Sequence, residues 1–368
     1  MKNIKTTLSL ITFFSLMSLS AFAEDISPID ILSKVPKSNS QSFTGIKTQR
    51  VVRQNLKLEA SANIQYADSK NFNVTINKPG GISGIKFATN LGRSTIYFPY
   101  EKLSFTDALA SSGDMITETI MGKISTDLSL LQKNYNVSMK QDDQIALNPT
   151  YVIDIRPKHI RPKPEIGGKD YWSTPGRTFW ISKSNYQVLR EDRYWSDNTD
   201  PFFSSQYTKY DPVAYASMPN VRLKLPYNVK KVPLAVKSPD SETYMESFKT
   251  TDEAEKKLKE KVPAPKYVPP GFKLREVQAL NFYDTKIIIQ KYDDGLNSMY
   301  LTYRTKPNFF LTLLAGKFSL DLLHKMSDLS YHAPYNYMTR ETTNNLIISF
   351  GDLYPDDLQK VNNSVAVK

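Results

Sequence analysis

The chain has 368 residues, a formal charge of +11 from 48 Lys and Arg against 37 Asp and Glu, and no cysteine. Disulfides, thiolate metal sites and the acylated N-terminal cysteine of a lipoprotein are thereby excluded. The charge excess is mild for this length and suits an anionic partner or membrane surface rather than nucleic acid, and the length predicts two domains.

Residues 1–23 read as a cleavable secretory signal: Lys2 and Lys5, an apolar stretch from Leu8 to Leu19, then Ala21-Phe22-Ala23. Cleavage takes two lysines with it and leaves +9 over 345 residues. The apolar stretch falls short of the roughly 20 residues a spanning helix needs, and no later segment reaches that length. The expectation is a periplasmic protein that does not span the membrane.

From Leu56 to Tyr66 apolar residues occupy every second position, the pattern of a half-buried strand. Strands are also predicted at 70–76, 84–89, 93–98, 150–156, 177–182, 186–195 and 203–210, separated by turn signals such as Asn77-Lys78-Pro79-Gly80-Gly81. Many short strands joined by turns indicate a large, curved antiparallel sheet or open barrel. Between Asp114 and Asn134 the spacing of Ile116, Ile120, Ile124, Leu128 and Leu131 predicts a helix with one apolar stripe, capped by Ser112 or Asp114. Residues 212–265 are rich in proline and charge and read as an extended linker with one short exposed helix at Asp252 to Lys261. After it, strands at 273–282, 285–292, 297–304 and 345–350 and helices at 308–326 and 353–363 predict a small α+β domain. The predicted layout is signal 1–23, first domain 24–211, linker 212–265 and second domain 266–368.

No catalytic pattern stands out. His159, His324 and His332 lie far apart with no HExxH spacing, and neither Gly80-Gly81 nor Gly167-Gly168 belongs to a phosphate-cradling loop. The expectation is no metal and no cofactor.

Two blocks carry a family resemblance. Tyr151-Val-Ile-Asp-Ile-Arg-Pro-Lys158 followed by Gly176-Arg-Thr-Phe-Trp-Ile-Ser-Lys-Ser-Asn-Tyr-Gln-Val-Leu-Arg-Glu191 resembles the paired strands of lipoprotein-carrier-like domains. Val268-Pro-Pro-Gly-Phe-Lys-Leu274, Lys291-Tyr-Asp-Asp-Gly-Leu-Asn-Ser-Met-Tyr-Leu301 and the segment from Ile348 through Gly351-Asp-Leu-Tyr-Pro355 to Val365 resemble the C-terminal domain of the RseB/MucB family. The blocks follow one another in that family's order. The resemblance implies an α+β protein: a half-open antiparallel β-barrel with a helical lid over an apolar cavity, then a smaller α+β domain. It implies a regulatory binding protein, not an enzyme, that holds the periplasmic region of a membrane anti-sigma factor and senses lipopolysaccharide or lipoprotein acyl chains in envelope stress. A periplasmic lipoprotein or lipid carrier without a regulatory partner is the alternative. Residues 159–174 read as an insertion relative to the family.

Three candidate sites follow, each with two open readings. Ile116, Ile120, Ile124, Leu128 and Leu131 line a lipid cavity or pack as core. Arg156, Lys158, Arg161 and Lys163 bind an anionic ligand or form a solvated loop. Phe309, Phe310 and Leu314, in the apolar run from Phe309 to Met326, dock a partner or fill the second core.

Overall fold

The structure is a computed structural model that describes residues 26–38, 41–53, 56–91, 93–108, 127–158, 160–161, 171–196, 200–214, 217, 221–233, 243–282, 285–305, 335–343 and 345–366. The signal segment lies outside the described residues, as do Ile116, Ile120, Ile124, Lys163 and the run from Phe309 to Met326.

Helix α1 (Pro28–Ser38) leads into β1 (Phe43–Arg53), β2 (Leu56–Asp68), β3 (Asn71–Lys78), β4 (Lys86–Asn90), β5 (Arg93–Phe98) and β6 (Leu103–Ala108). Helix α2 (Leu128–Asn134) is followed by β7 (Tyr135–Ile145), β8 (Asn148–Pro157), the short pair β9 (Ile160–Arg161) and β10 (Tyr171–Trp172), then β11 (Gly176–Ser182), β12 (Val188–Tyr194), β13 (Phe203–Pro212) and β14 (Lys230–Pro233). These strands, β9 and β10 apart, form one twelve-stranded sheet in the order β14-β6-β5-β4-β3-β2-β1-β13-β12-β11-β8-β7, antiparallel except for the parallel β14/β6 pair. Strands β7 and β13 stand four places apart, about 19 Å on a flat sheet, yet they touch. The sheet is therefore strongly coiled, with β14 and β7 as its two edges. This is the large half-open sheet expected.

A second, six-stranded antiparallel sheet contains β15 (Thr243–Phe248), β16 (Lys273–Phe282), β17 (Thr285–Asp293), β18 (Ser298–Thr305), β19 (Asn336–Glu341) and β20 (Asn345–Gly351), in the order β15-β16-β17-β18-β20-β19. Helix α4 (Pro355–Ser364) covers one face, burying Leu358 and Val361 against Met299, Leu301 and Ile347. Helix α3 (Thr251–Leu258) places Ala254 in a second cluster with Phe248, Val277 and Ile288. The span read as a linker thus supplies β14 to the large sheet and β15 to the small one, as well as the short helix.

The stripe helix needs one correction. Asp127, which is not helical, caps α2 by accepting a hydrogen bond from the Leu130 N–H at 2.9 Å. The helix carrying Leu128 and Leu131 therefore starts at Leu128 and is not continuous with the predicted stripe, because the Asp127 side chain satisfies an N–H that a longer helix would bond internally.

Candidate functional site

Strand register puts one set of side chains on a single face of the large sheet. Arg177, Phe179 and Ile181 alternate along β11; Arg177 faces Arg193 across β12, and Phe179 faces Glu191. Phe203 and Ser205 of β13 continue the row to Val51 and Gln49 of β1. In the same register Lys47 stands opposite Tyr207, and a bulge that leaves Thr208 unpaired then sets Ile46 opposite Lys209. The same face continues through Tyr66 and Phe72, and Phe43 packs on Tyr66, Tyr207 and Tyr210 with ring centroids 5.2–5.6 Å apart. Helices α1 and α2 cover its other end. Ile31, Leu32, Val35 and Leu131 pack there on Ile153, Ile155, Phe179 and Ile181, each burial stabilising by about 1.5–3 kcal/mol.

The small sheet docks on this covered end through a buried polar junction. Arg177, 1% exposed, donates to Glu191 at 2.9 Å, to Asp352 at 3.0 Å and twice to the Asn297 side-chain oxygen at 3.1 and 2.6 Å. Arg193 bonds Glu191 at 2.7 Å and also Asp352. The Asn297 amide donates to the Tyr135 hydroxyl at 2.7 Å and the Pro175 carbonyl at 3.2 Å. Tyr135 in turn donates to Asp294. Around this centre Leu296 is buried among α1 and α2, Asn134 donates to the Asp294 carbonyl at 2.7 Å, and Arg275 bonds Asp127 at 2.6 Å. At the rim Trp195 stacks on Phe202 and meets Tyr354 edge-on, whose N–H bonds the Ser173 carbonyl at 3.0 Å.

Electrostatics hold Glu191 and Arg193 charged. Burial works against the Glu191 carboxylate, but Arg193 and Arg177 outweigh it and keep its pKa below the usual value. Asp352 and Glu191 likewise overcome the cost of burying Arg193. Lys47 is different: burial pushes its pKa down to about 8, although Glu191 pulls it up. A buried lysine over the Tyr207 ring, 5.2 Å from its centroid, is more than a strand needs for packing.

Asp294 is pushed up to about 6, chiefly by burial. Its folded pKa lies above the unfolded value, so between roughly pH 4 and 6 the folded state binds more protons, and stability from this group falls as pH rises. The full span is worth on the order of 3 kcal/mol, at about 1.4 per unit. Glu191, with its lowered pKa, acts in the opposite sense and only below its unfolded value. Asp294→Asn should therefore flatten the change in urea midpoint between pH 5 and 7; an unchanged slope in the variant would refute the assignment.

The sequence-derived candidates divide. Leu131 is fully buried beside Leu296, and Leu128 is partly buried on the same cluster. Arg156 bonds Asp154 at 2.7 Å and lies 4.6 Å from the Tyr194 ring centroid, while Lys158 is exposed and donates to the Gln132 carbonyl at 2.6 Å. Arg161 belongs to β9, paired with Tyr171. Ile116, Ile120, Ile124, Lys163, Phe309, Phe310 and Leu314 lie outside the described residues. The structure brings together instead residues of the two resemblance blocks: Arg177 and Phe179 from the first meet Asn297, Asp352 and Leu296 from the second, and Glu191 holds Arg177 from its own side. The signal for them was parity, since Arg177 shares its face with Phe179 and Ile181 in a strand whose seven residues are all buried. Among the described residues no group of three or more His, Asp and Glu side chains is placed to hold a metal ion, and no helix is long and apolar enough to cross a membrane.

No family model matches the chain, and no curated protein matches it. Solved structures do. The crystal structure of MucB aligns with TM-score 0.53 at 12% identity, covering 92% of this chain and 97% of that one. MucB in complex with MucA(peri), and the Pseudomonas aeruginosa MucA/MucB complex, each align with TM-score 0.52 at 12% identity over 93% of this chain and 99% of theirs. At this identity the likeness shows a shared fold, and it runs through both sheets.

Proposed function

We propose that this protein is a regulatory binding protein of the periplasm that holds the periplasmic region of a membrane anti-sigma factor and responds to lipid or lipoprotein signals of envelope stress. The observation that carries this reading is the fold shared over nearly the whole chain with MucB, which has been solved in complex with MucA(peri). The buried junction supports it, since a sensor needs its two parts mechanically joined and this junction joins them through charge-assisted bonds. In this reading residues 1–23 direct export. Ile116, Ile120, Ile124, Leu128 and Leu131 line the acyl-chain site, Arg156, Lys158, Arg161 and Lys163 attract anionic headgroups, and Phe309, Phe310 and Leu314 dock the anti-sigma factor.

A pull-down with the mature full-length protein from detergent-solubilised membranes tests it. The expected catch is a single-pass membrane protein whose cytoplasmic part binds a sigma factor. Recovery of acylated lipoproteins alone would overturn the regulatory reading in favour of a carrier.

A further inference from the structure

The ends of the large sheet are not equivalent. Strand alternation places the β1/β2 hairpin, the β5/β6 turn and the start of β14 at one end. There Tyr100 is 69% and Tyr227 101% exposed. Their turns are neighbours: the Lys230 N–H donates to the Lys102 carbonyl at 2.8 Å, and Lys230 pairs with Leu103 at the start of the parallel ladder. Lys102 and Lys230 are both exposed, against the partly buried Glu101 as the acidic residue of that turn. Lys102 adopts a left-handed backbone with φ 47°. The β1/β2 hairpin overhangs at the same end, because β3 stops opposite Ser61, and it carries Leu56, 56% exposed, with exposed Lys57. At the opposite end the exposed Leu91 and Leu147 lie on turns eight strands apart and form no such group.

We infer that this rim, with Tyr100, Lys102, Tyr227 and Lys230 at its centre, docks the protein on an anionic phospholipid surface. Tyrosine suits the lipid boundary because its ring is apolar and its hydroxyl reaches water. Lysines beside it meet lipid phosphates. Each lysine near an anionic surface strengthens attachment by about fivefold, so two of them count for about twenty-five-fold. The charge complementarity selects a membrane over a protein partner, since the exposed rings stand on turn tips instead of forming a groove. The inference is independent of any anti-sigma partner.

Co-sedimentation of the mature full-length protein with vesicles tests it. Wild type should bind phosphatidylglycerol-rich vesicles, bind phosphatidylcholine vesicles far more weakly, and come off as salt rises. Lys102→Glu with Lys230→Glu should lower binding at least about twenty-five-fold, and Tyr100→Ser with Tyr227→Ser should lower it while leaving the salt dependence in place. Lys70→Glu with Lys266→Glu, both exposed and away from the rim, changes net charge equally and should leave binding near wild type. Wild type that ignores anionic vesicles, a rim variant that binds as wild type, or equal loss in the control pair would each overturn the proposal. Hydrogen exchange on wild type gives a test free of variants: residues 99–102 and 226–230 should slow on anionic vesicles, and unchanged exchange there overturns it.

Discussion

Arg177→Met should destabilise the folded protein by about 3–5 kcal/mol, the usual cost of removing one partner from a buried ion pair. The guanidinium is 1% exposed and serves Glu191, Asp352 and Asn297 at once. Its removal leaves two buried carboxylates sharing Arg193, and it orphans the Asn297 oxygen. Arg177→Lys should recover little, because an ammonium is a point donor and cannot span three acceptors with a planar fork. The pH dependence adds a second mark. Arg177 is one of the groups that lower the Glu191 pKa, so without it that carboxylate takes up a proton more readily in the folded state and the variant's deficit should shrink as pH falls. Urea unfolding at pH 5 and pH 7 measures both effects. A variant within about 0.5 kcal/mol of wild type, the range of ordinary surface substitutions, would show that the junction is held by apolar packing instead.

How far the chain could be read ahead depended on whether local pattern or distant partners decided each element. Strands β5 and β16 fall on the predicted residues, and β2, β8, β11 and β13 within three residues at each end, because alternation and turn residues mark them directly. Strand β7 escaped prediction because it is an edge strand with a mostly exposed, polar run from Asn136 to Gln144. Strands β14 and β15 escaped it because the proline-rich, charged span around them looks like a linker, and only their neighbours β6 and β16 make them strands. Helix α1 did carry a missed signal: Ser27 accepts from the Asp30 N–H at 3.1 Å and donates to its carboxylate at 2.7 Å, a cap written three residues apart before Ile31, Leu32 and Val35.

The site was less legible than the fold. Motif residues were visible as a resemblance, but that they meet one another was not, because Arg177 and Asp352 are 175 positions apart and no local period links them. Charges in core parity are the part of that signal the sequence does hold. Arg177, Glu191 and Arg193 sit in phase with apolar neighbours on strands that pair, and a charge in that position must find a buried partner. Lys47 follows the same rule, in phase with the buried Phe43 and Gly45 along β1.

Gly295→Ala should part the two sheets by a different route. Gly295 has φ +100°, a conformation that costs an L residue about 1–3 kcal/mol. A Cβ there would overlap the Leu131 nitrogen and meet the Leu130 carbonyl carbon at 2.8 Å, both backbone atoms of α2 that cannot rotate away. The loop from Asp293 to Asn297 must then lift. Lifting exposes Leu296, worth about 1.5–3 kcal/mol, and breaks the bonds from Asn134 and Tyr135 to Asp294. The expected total is about 3–5 kcal/mol from strain and lost burial together. Gly80→Ala is the matched control, because its Cβ would meet nothing within 4 Å, and it should melt like wild type. Hydrogen exchange separates local parting from global weakening: in Gly295→Ala the amides of Leu296 and Asn297, which bond Asp294 at 2.9 and 2.7 Å, should exchange faster than those of β20. If Gly295→Ala instead melts with the control, the close approach of this loop to α2 is not what joins the two sheets.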